Sequence, residues 1–193
     1  MFLLWFKKNL ASLFHRNEQL TILIKGILPL LPHPIINLLK CSTMKNIFDP
    51  TDTQEMIDRI NQLTPTTKGE WGKMTVDQML AHLNVAYEMA YENKHPKPNF
   101  LMKFMLKMFV KSAVVSEKPY PKNGRTAPAF VMTGDKDFAK EKDRLINYLR
   151  KTQALGTAHF DGKESHSFGP LNTTEWNNLF SKHLDHHLTQ FGV

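Results

Sequence analysis

The stretch N-T-T-E-W-N-N-L-F-S-K-H-L-D-H-H-L-T-Q-F, residues 172–191, combines the pattern of an amphipathic helix with three histidines. Asn172 followed three residues later by Glu175 is a capping box, which marks a helix N-terminus. Gly192 provides a typical C-terminal stop. At about 100° per residue, one apolar stripe collects Trp176, Phe180, Leu184 and Phe191. The stretch therefore predicts a helix that buries one face.

Two of the three histidines lie in the middle of that apolar stripe. His183 and His187 are four residues apart, so they point inward together, one turn apart. His186 falls at the margin of the stripe, and Asp185 falls on the solvent side. Two neutral imidazoles at this spacing can bind one divalent ion, but a tight site needs a third donor. His82, inward-facing on another predicted helix, is the candidate, and ordinary core histidines without a metal are the alternative.

From Met44 onward the rest of the chain is also helical in pattern. Capping boxes at 52–55 and 75–78 predict helices that run to about residues 63 and 93. An apolar helix is expected over 99–114, and a long helix over 135–155 that Gly156 stops. Long loops are expected at 116–133 and 157–171, and no strand pair is indicated. The predicted fold is all-α: a four-helix bundle with one additional short helix and long loops.

The apolar segment 99–114 carries lysines four residues apart, Lys103, Lys107 and Lys111. We interpret this stripe as a solvated face, with contact to an anionic ligand or a membrane surface as the alternative. The apolar side chains of residues 100–109 could also pair two copies, so a homodimer is a further expectation.

The first 43 residues differ from the remainder. Residues 20–39 are about as long as a bilayer-spanning helix, but Lys25, His33 and three prolines interrupt them. We predict an N-terminal extension over 1–43, outside the folded domain, and one helical domain over 44–193. Three interpretations of the extension stay open: translation upstream of a start at Met44, a membrane-associated hairpin, or a cleaved targeting segment. Membrane contact is expected only through residues 1–43.

Charge and cysteine content limit the partners and the compartment. The net charge is +7, of which residues 1–43 carry +4 and residues 44–193 carry +3. This mild excess in the domain makes nucleic-acid binding an unfavoured interpretation. Cys41 is the single cysteine, so an intrachain disulfide and a cysteine-based zinc site are both excluded. A reducing, cytoplasmic compartment fits this composition best.

Two motifs together resemble a known family. W-G-K-M-T-V-D-Q-M-L-A-H at 71–82 and H-S-F-G-P-L-N-T-T-E-W with K-H-L-D-H-H-L-T-Q-F between 166 and 191 look like the DinB-like (YfiT-like) superfamily. The resemblance covers residues 44–193 and is closest to an uncharacterised bacterial branch. It implies a four-helix metalloenzyme whose single metal ion is bound by His82, His183 and His187, with positions open for water or substrate.

The resemblance also implies a class of reaction. Characterised relatives include metal-dependent transferases that use low-molecular-weight thiols such as bacillithiol and mycothiol. We therefore expect zinc, nickel, iron or manganese as the cofactor and thiol transfer, of a bacillithiol or glutathione type, to an electrophilic small molecule. A hydrolase is the catalytic alternative, although the absence of an H-E-x-x-H motif disfavours a peptidase.

The long loops contain further candidate residues for the reaction. His166 is the expected proton-transfer residue, and Lys122 or Arg125 is expected to hold an anionic substrate. The alternative from another class is a non-catalytic bundle whose histidines bind a structural metal or none.

Overall fold

The computed structural model describes residues 44–193, in which six α-helices, one 3-10 turn and two short strands form. The α-helices are α1 (Pro50–Gln62), α2 (Val76–Tyr91), α3 (Phe100–Phe109), α4 (Lys111–Val115), α5 (Phe138–Phe160) and α6 (Thr173–Gln190). The 3-10 turn is Pro128–Phe130, and the strands are β1 (Glu164–Ser165) and β2 (Gly169–Pro170). The all-α prediction is confirmed. The extension predicted over residues 1–43 lies outside the described residues.

Helix α1 begins earlier than the capping box at 52–55 predicts. Asp49 is the N-cap, and its carboxylate accepts from the backbone N–H groups of Thr51 at 2.8 Å and Asp52 at 3.0 Å. Pro50 fits the first helical position because that residue needs no N–H and its φ is already helical. The Asp52 carboxylate instead accepts from the backbone N–H of Asn46.

The other two capping boxes are confirmed. At α2, the Thr75 backbone N–H donates to the Gln78 side chain at 3.3 Å. At α6, the Glu175 backbone N–H donates to Asn172 Oδ1 at 2.9 Å, and the Asn172 N–H donates back to Glu175 Oε2 at 3.1 Å. These caps fix the first turns of the two helices that carry the histidines of interest.

The four longer helices share one core. Helix α5 packs against α1, α2 and α6, and α6 also contacts α1, α2 and α4. Between α2, α5 and α6 lies an aromatic stack in which Phe180 is parallel to Tyr87, with ring centroids 4.6 Å apart, and Trp176 lies 5.3 Å from Phe180. Because α2 and α6 contact across this stack, their inward faces are held together, including the turns that bear histidines.

Gly156 interrupts α5 as the sequence predicts. Its φ of +69° and ψ of 178° are non-helical, and the left-handed φ favours glycine, so the backbone kinks there before a separate turn that reaches Phe160. The loop expected at 157–171 then contains β1 and β2, which pair antiparallel. Two-residue strands are too short for a period-2 pattern, so the sequence gives no strand signal.

The expected helix over 99–114 is two helices, and its lysine stripe is only partly a solvated face, since Lys107 is exposed but the other two lysines form ion pairs. Lys103 pairs with Glu164, and Lys111 pairs with Glu175 at 2.7 Å, so both lysines turn toward the domain. Large apolar side chains of α3 face solvent instead, with Phe100 88% exposed. Over residues 44–193, no helix is both long and apolar enough to cross a bilayer.

Candidate metal centre

Helices α2 and α6 bring three histidines to one point. One ring nitrogen from each of His82, His183 and His187 lies within 4.8 Å of those of the other two. Ring centroids are 4.5 Å apart for His82 and His187, 4.9 Å for His82 and His183, and 5.0 Å for His183 and His187. His82 and His187 are buried, whereas His183 retains some accessibility. A further ligand could therefore approach from the His183 side.

The ring of His82 is oriented by the loop between α4 and α5. Its Nδ1 lies 2.8 Å from the backbone oxygen of Phe130, at the end of the 3-10 turn. The loop is tied to the start of α2, because the Lys136 N–H donates to Asp77 at 2.7 Å and Gln78 Nε2 donates to the Gly134 oxygen. Since a carbonyl only accepts, His82 Nδ1 carries the proton and Nε2 keeps its lone pair.

The ring of His187 is oriented in the same way by a side chain. Its Nδ1 lies 2.7 Å from Gln190 Oε1, while Gln190 Nε2 donates to the Trp71 oxygen at 2.6 Å. The close approach requires Gly72, because a Cβ there would lie 2.5 Å from Gln190 Nε2. The amide of Gln190 is thereby held with its oxygen toward the imidazole, so His187 Nε2 also keeps its lone pair.

These tautomers suit a metal ion. Ligating histidines in proteins usually donate their second ring N–H to a carbonyl, carboxylate or amide oxygen, which orients the ring. His82 Nε2 and His183 Nε2 lie 2.8 Å apart, somewhat closer than the ~3.3 Å between two nitrogens at ~2.0–2.1 Å from a tetrahedral zinc ion. The residues present therefore fit a divalent cation at this point after a small separation of the rings.

Burial keeps the three imidazoles neutral. Desolvation lowers the pKa of His82, lowers that of His183 well below the ordinary value, and lowers that of His187 to about 3. Each ring also disfavours a proton on its neighbours, since like charges would meet at short range. Neutral imidazole is the form that binds metal, so metal binding near pH 7 does not require an imidazolium to lose its charge.

The stability of the metal-free protein should fall in mild acid. Because the folded-state pKa of His187 is about 3 and the ordinary histidine value is about 6.5, only the unfolded state takes up this proton between those values. The stability that the protein has with His187 neutral is therefore complete above about pH 6.5, and it decreases as the pH falls toward 3. At about pH 5, proton uptake by His187 in the unfolded state alone should lower the free energy of unfolding by about 2 kcal/mol.

Urea unfolding of chelator-treated protein at neutral pH and at about pH 5 measures this effect, with His187→Gln as the comparison. The variant should lose less stability in acid than the parent. An equal loss in both proteins would show that groups other than His187 cause the acid sensitivity.

Around the cluster lies a rim of aromatic and cationic side chains. Tyr120 from the loop at 116–133 contacts His183 and His186 edge-on, and Trp71 contacts His186 at 6.0 Å. Lys122 lies 4.1 Å above the Trp71 ring. The loop at 116–133 therefore borders the cluster, and Lys122, one of the two residues expected to hold an anionic substrate, lies near it. Arg125 is exposed, and no hydrogen bond, ion pair or ring contact joins it to the three histidines.

His166 lies elsewhere. Its Nδ1 is 3.0 Å from Ser167 Oγ and its Nε2 is 3.3 Å from the His95 backbone oxygen. It lines a cavity of about 250 Å³ with residues 89–93 at the end of α2. From His82 to Tyr91 the helix rises roughly 13 Å, so His166 is not brought to the three histidines. A proton-transfer role for it there stays a prediction that this geometry does not favour.

Several contributors to the centre were not predicted from sequence. Gln190 has a weak signal, because it lies three residues after His187 on the same face of α6. The Phe130 oxygen and Tyr120 have none, since they belong to an irregular loop whose path depends on tertiary contacts. Gly72 is a candidate for a special backbone position, but the sequence does not reveal which side chain it admits.

Comparison with known proteins identifies one family. A family model described as a protein of unknown function, DUF1569, matches residues 42–192. No curated protein and no solved structure matches the chain.

Proposed function

Because the chain belongs to the DUF1569 family of unknown function, we propose its activity from the site itself: a metal-dependent enzyme that transfers a low-molecular-weight thiol to an electrophilic small molecule. In this proposal His82, His183 and His187 hold the ion. We interpret the arrangement of α1, α2, α5 and α6 as a DinB-like four-helix bundle, in keeping with the resemblance of the two motifs.

One observation carries the metal site. Two of the three imidazoles have Nδ1 engaged by an oxygen acceptor, at 2.8 Å and 2.7 Å, so their Nε2 atoms carry lone pairs rather than protons. The His82 Nε2 lone pair faces His183 Nε2 at 2.8 Å, where the rings meet. Histidines that only pack in a core have no need to carry the proton on the same ring nitrogen, Nδ1. The set contains three neutral nitrogen donors and no carboxylate, which suits zinc, nickel or iron better than calcium or magnesium.

An ion bound by three neutral histidines keeps its full 2+ charge and would supply a Lewis acid that favours thiolate over thiol. The reaction would join the thiol sulfur to the electrophile and release the leaving group and one proton to solvent. The chain's own contribution is orientation: Phe130 and Gln190 fix two rings, and Tyr120 packs edge-on against His183.

The rim supports a substrate that carries negative charge. Lys122 stands over Trp71, on the side of the centre where His186 and Tyr120 also lie. An ammonium at this position can attract the carboxylate of a small thiol, such as a cysteine-containing thiol. Lys122 is exposed, so we expect it to affect the affinity for the substrate and not the coordination of the metal.

Cobalt substitution tests the proposal. Protein loaded with Co²⁺ should develop a near-ultraviolet band of the cobalt–sulfur type when glutathione or cysteine is added, because the thiol enters the open position. The zinc- or nickel-loaded protein should also speed the reaction of that thiol with 1-chloro-2,4-dinitrobenzene. Lys122→Gln should weaken thiol binding with the cobalt visible spectrum unchanged, and exposed Lys140→Gln is the matched control.

Two outcomes would count against thiol transfer. Cobalt that binds without any spectral response to several thiols would leave a metal site that does not take thiol. A metal-loaded protein that unfolds when chelator is added would indicate a structural ion, because the free energy of binding would then be part of the free energy of folding.

A further inference from the structure

Helix α3 exposes an unusually large apolar surface. Phe100, Leu101 and Phe109 are 88%, 68% and 71% exposed. Further apolar side chains at least one third exposed are Met102, Phe104, Met105, Met108 and Val110. At ~200 Å² for a fully exposed large side chain, these eight residues present roughly 900 Å², more than the ~300–600 Å² of the largest apolar patch on a typical monomer. Such a surface requires a partner.

The inner side of α3 explains why its apolar side chains face outward. Leu106 packs against the core, and Lys103 forms an ion pair with Glu164. Beyond the helix end, Lys111 pairs with Glu175 at 2.7 Å. These contacts fix the side of the helix that faces the domain, so the fold itself orients the apolar face toward solvent.

Positive charge is concentrated around this helix. Residues 94–125 contain eight lysines and arginines and one acidic residue, Glu117, for a net charge of +7. Residues 44–193 as a whole carry only +3, so the remainder of the domain is net −4. Within residues 44–193 no carboxylate forms an ion pair with five of the eight cations: Lys97, Lys107, Lys118, Lys122 and Arg125. The apolar face therefore lies within a cationic segment.

We propose that α3 and the basic residues flanking it, residues 94–125, form a docking surface for an anionic phospholipid membrane. The apolar side chains enter the boundary between headgroups and acyl chains, and the cations without an ion pair, apart from Lys122 over Trp71, contact anionic headgroups. Ten residues rise only ~15 Å, about half of a bilayer core, so the helix lies in the surface plane. This segment adds a membrane contact to the one expected through residues 1–43.

A second copy of the chain is the less favourable occupant. Symmetric pairing through α3 would bring two segments of net charge +7 against each other, and like charges in apposition oppose association. An anionic bilayer accepts the apolar side chains and neutralises the cations at the same time. Charge thus favours the membrane, although the apolar area alone would suit either partner.

Vesicle sedimentation of the full chain tests this surface. Vesicles of phosphatidylcholine with about one third phosphatidylserine should bind the protein, and vesicles of phosphatidylcholine alone should bind it much more weakly. Phe104→Ser with Phe109→Ser should lower the affinity at least about tenfold, and Lys107→Glu at least about fivefold. Leu155→Ser and Lys140→Glu, both on the exposed surface of α5, should stay within about twofold.

Three results would overturn the inference. The first is a parent chain that fails to bind anionic vesicles. The second is a Phe104/Phe109 variant that binds them as tightly as the parent, which would place the contact elsewhere in the chain. The third is a parent chain that sedimentation velocity shows to be a dimer, together with a Phe104/Phe109 variant that is a monomer but binds vesicles like the parent. That result would assign the surface to a second copy. Circular dichroism shows that each variant keeps its helix content.

Discussion

Replacing His82 with alanine should lower the affinity for Zn²⁺ or Ni²⁺ by at least about a hundredfold. His82 is one of three nitrogen donors, and the remaining pair on α6 offers a divalent ion only two protein ligands, which rarely suffice for a tight site. The loss should leave the helices in place, because the hydrogen bond to the Phe130 oxygen contributes only about 1 kcal/mol. Titration of metal-free protein against a competing chromophoric chelator measures the affinity.

His159→Ala is the matched control for that experiment. His159 is exposed on α5, where its ring contacts Lys163 and Phe160 and not the cluster. This variant should bind metal as tightly as the parent. Equal weakening in both variants, or full affinity in His82→Ala, would show that the ion binds elsewhere.

Replacing Phe180 with alanine should cause the largest loss of stability, about 3–5 kcal/mol. Phe180 is 1% exposed and stacks between Tyr87 and Trp176, with Phe160 edge-on at 6.0 Å. Removing the ring would leave a cavity at the contact of α2, α5 and α6, and rigid aromatic neighbours cannot easily fill it. Thermal unfolding of the metal-free protein should show a midpoint lower by roughly 10 °C.

Phe109→Ala makes the same chemical change on α3, where the ring is 71% exposed. It should alter the unfolding free energy by less than about 0.5 kcal/mol, because no cavity forms. A comparable loss in the two variants would mean that the Phe109 face is covered in solution, whereas a negligible loss in Phe180→Ala would contradict the packing of the aromatic stack.

Much of the fold follows from local sequence signals. The boxes at Thr75/Gln78 and Asn172/Glu175 predict two helix starts correctly, because capping depends on side chains within one turn. The inward orientation of His187 on α6 follows from helical periodicity alone. These features need no knowledge of distant residues, which is why a single sequence suffices for them.

The remainder depends on tertiary contacts. From the sequence, Lys103 and Lys111 are expected to face solvent. In the fold they form ion pairs with Glu164 and Glu175, which lie more than 60 positions further along the chain. The Phe130 oxygen could not be predicted as a partner of His82, since any backbone carbonyl carries the same chemistry. Sequence likewise placed His166 in a loop without showing that the loop lies at the far end of α2.

The most direct test of a three-histidine metal centre is the metal content of the full chain, purified without a histidine tag and measured by elemental analysis beside His183→Ala and His187→Ala. We expect close to one divalent ion per chain in the parent and little in either variant, with unchanged helical circular dichroism. A parent free of metal, even after incubation with zinc, nickel, iron or manganese, would contradict it.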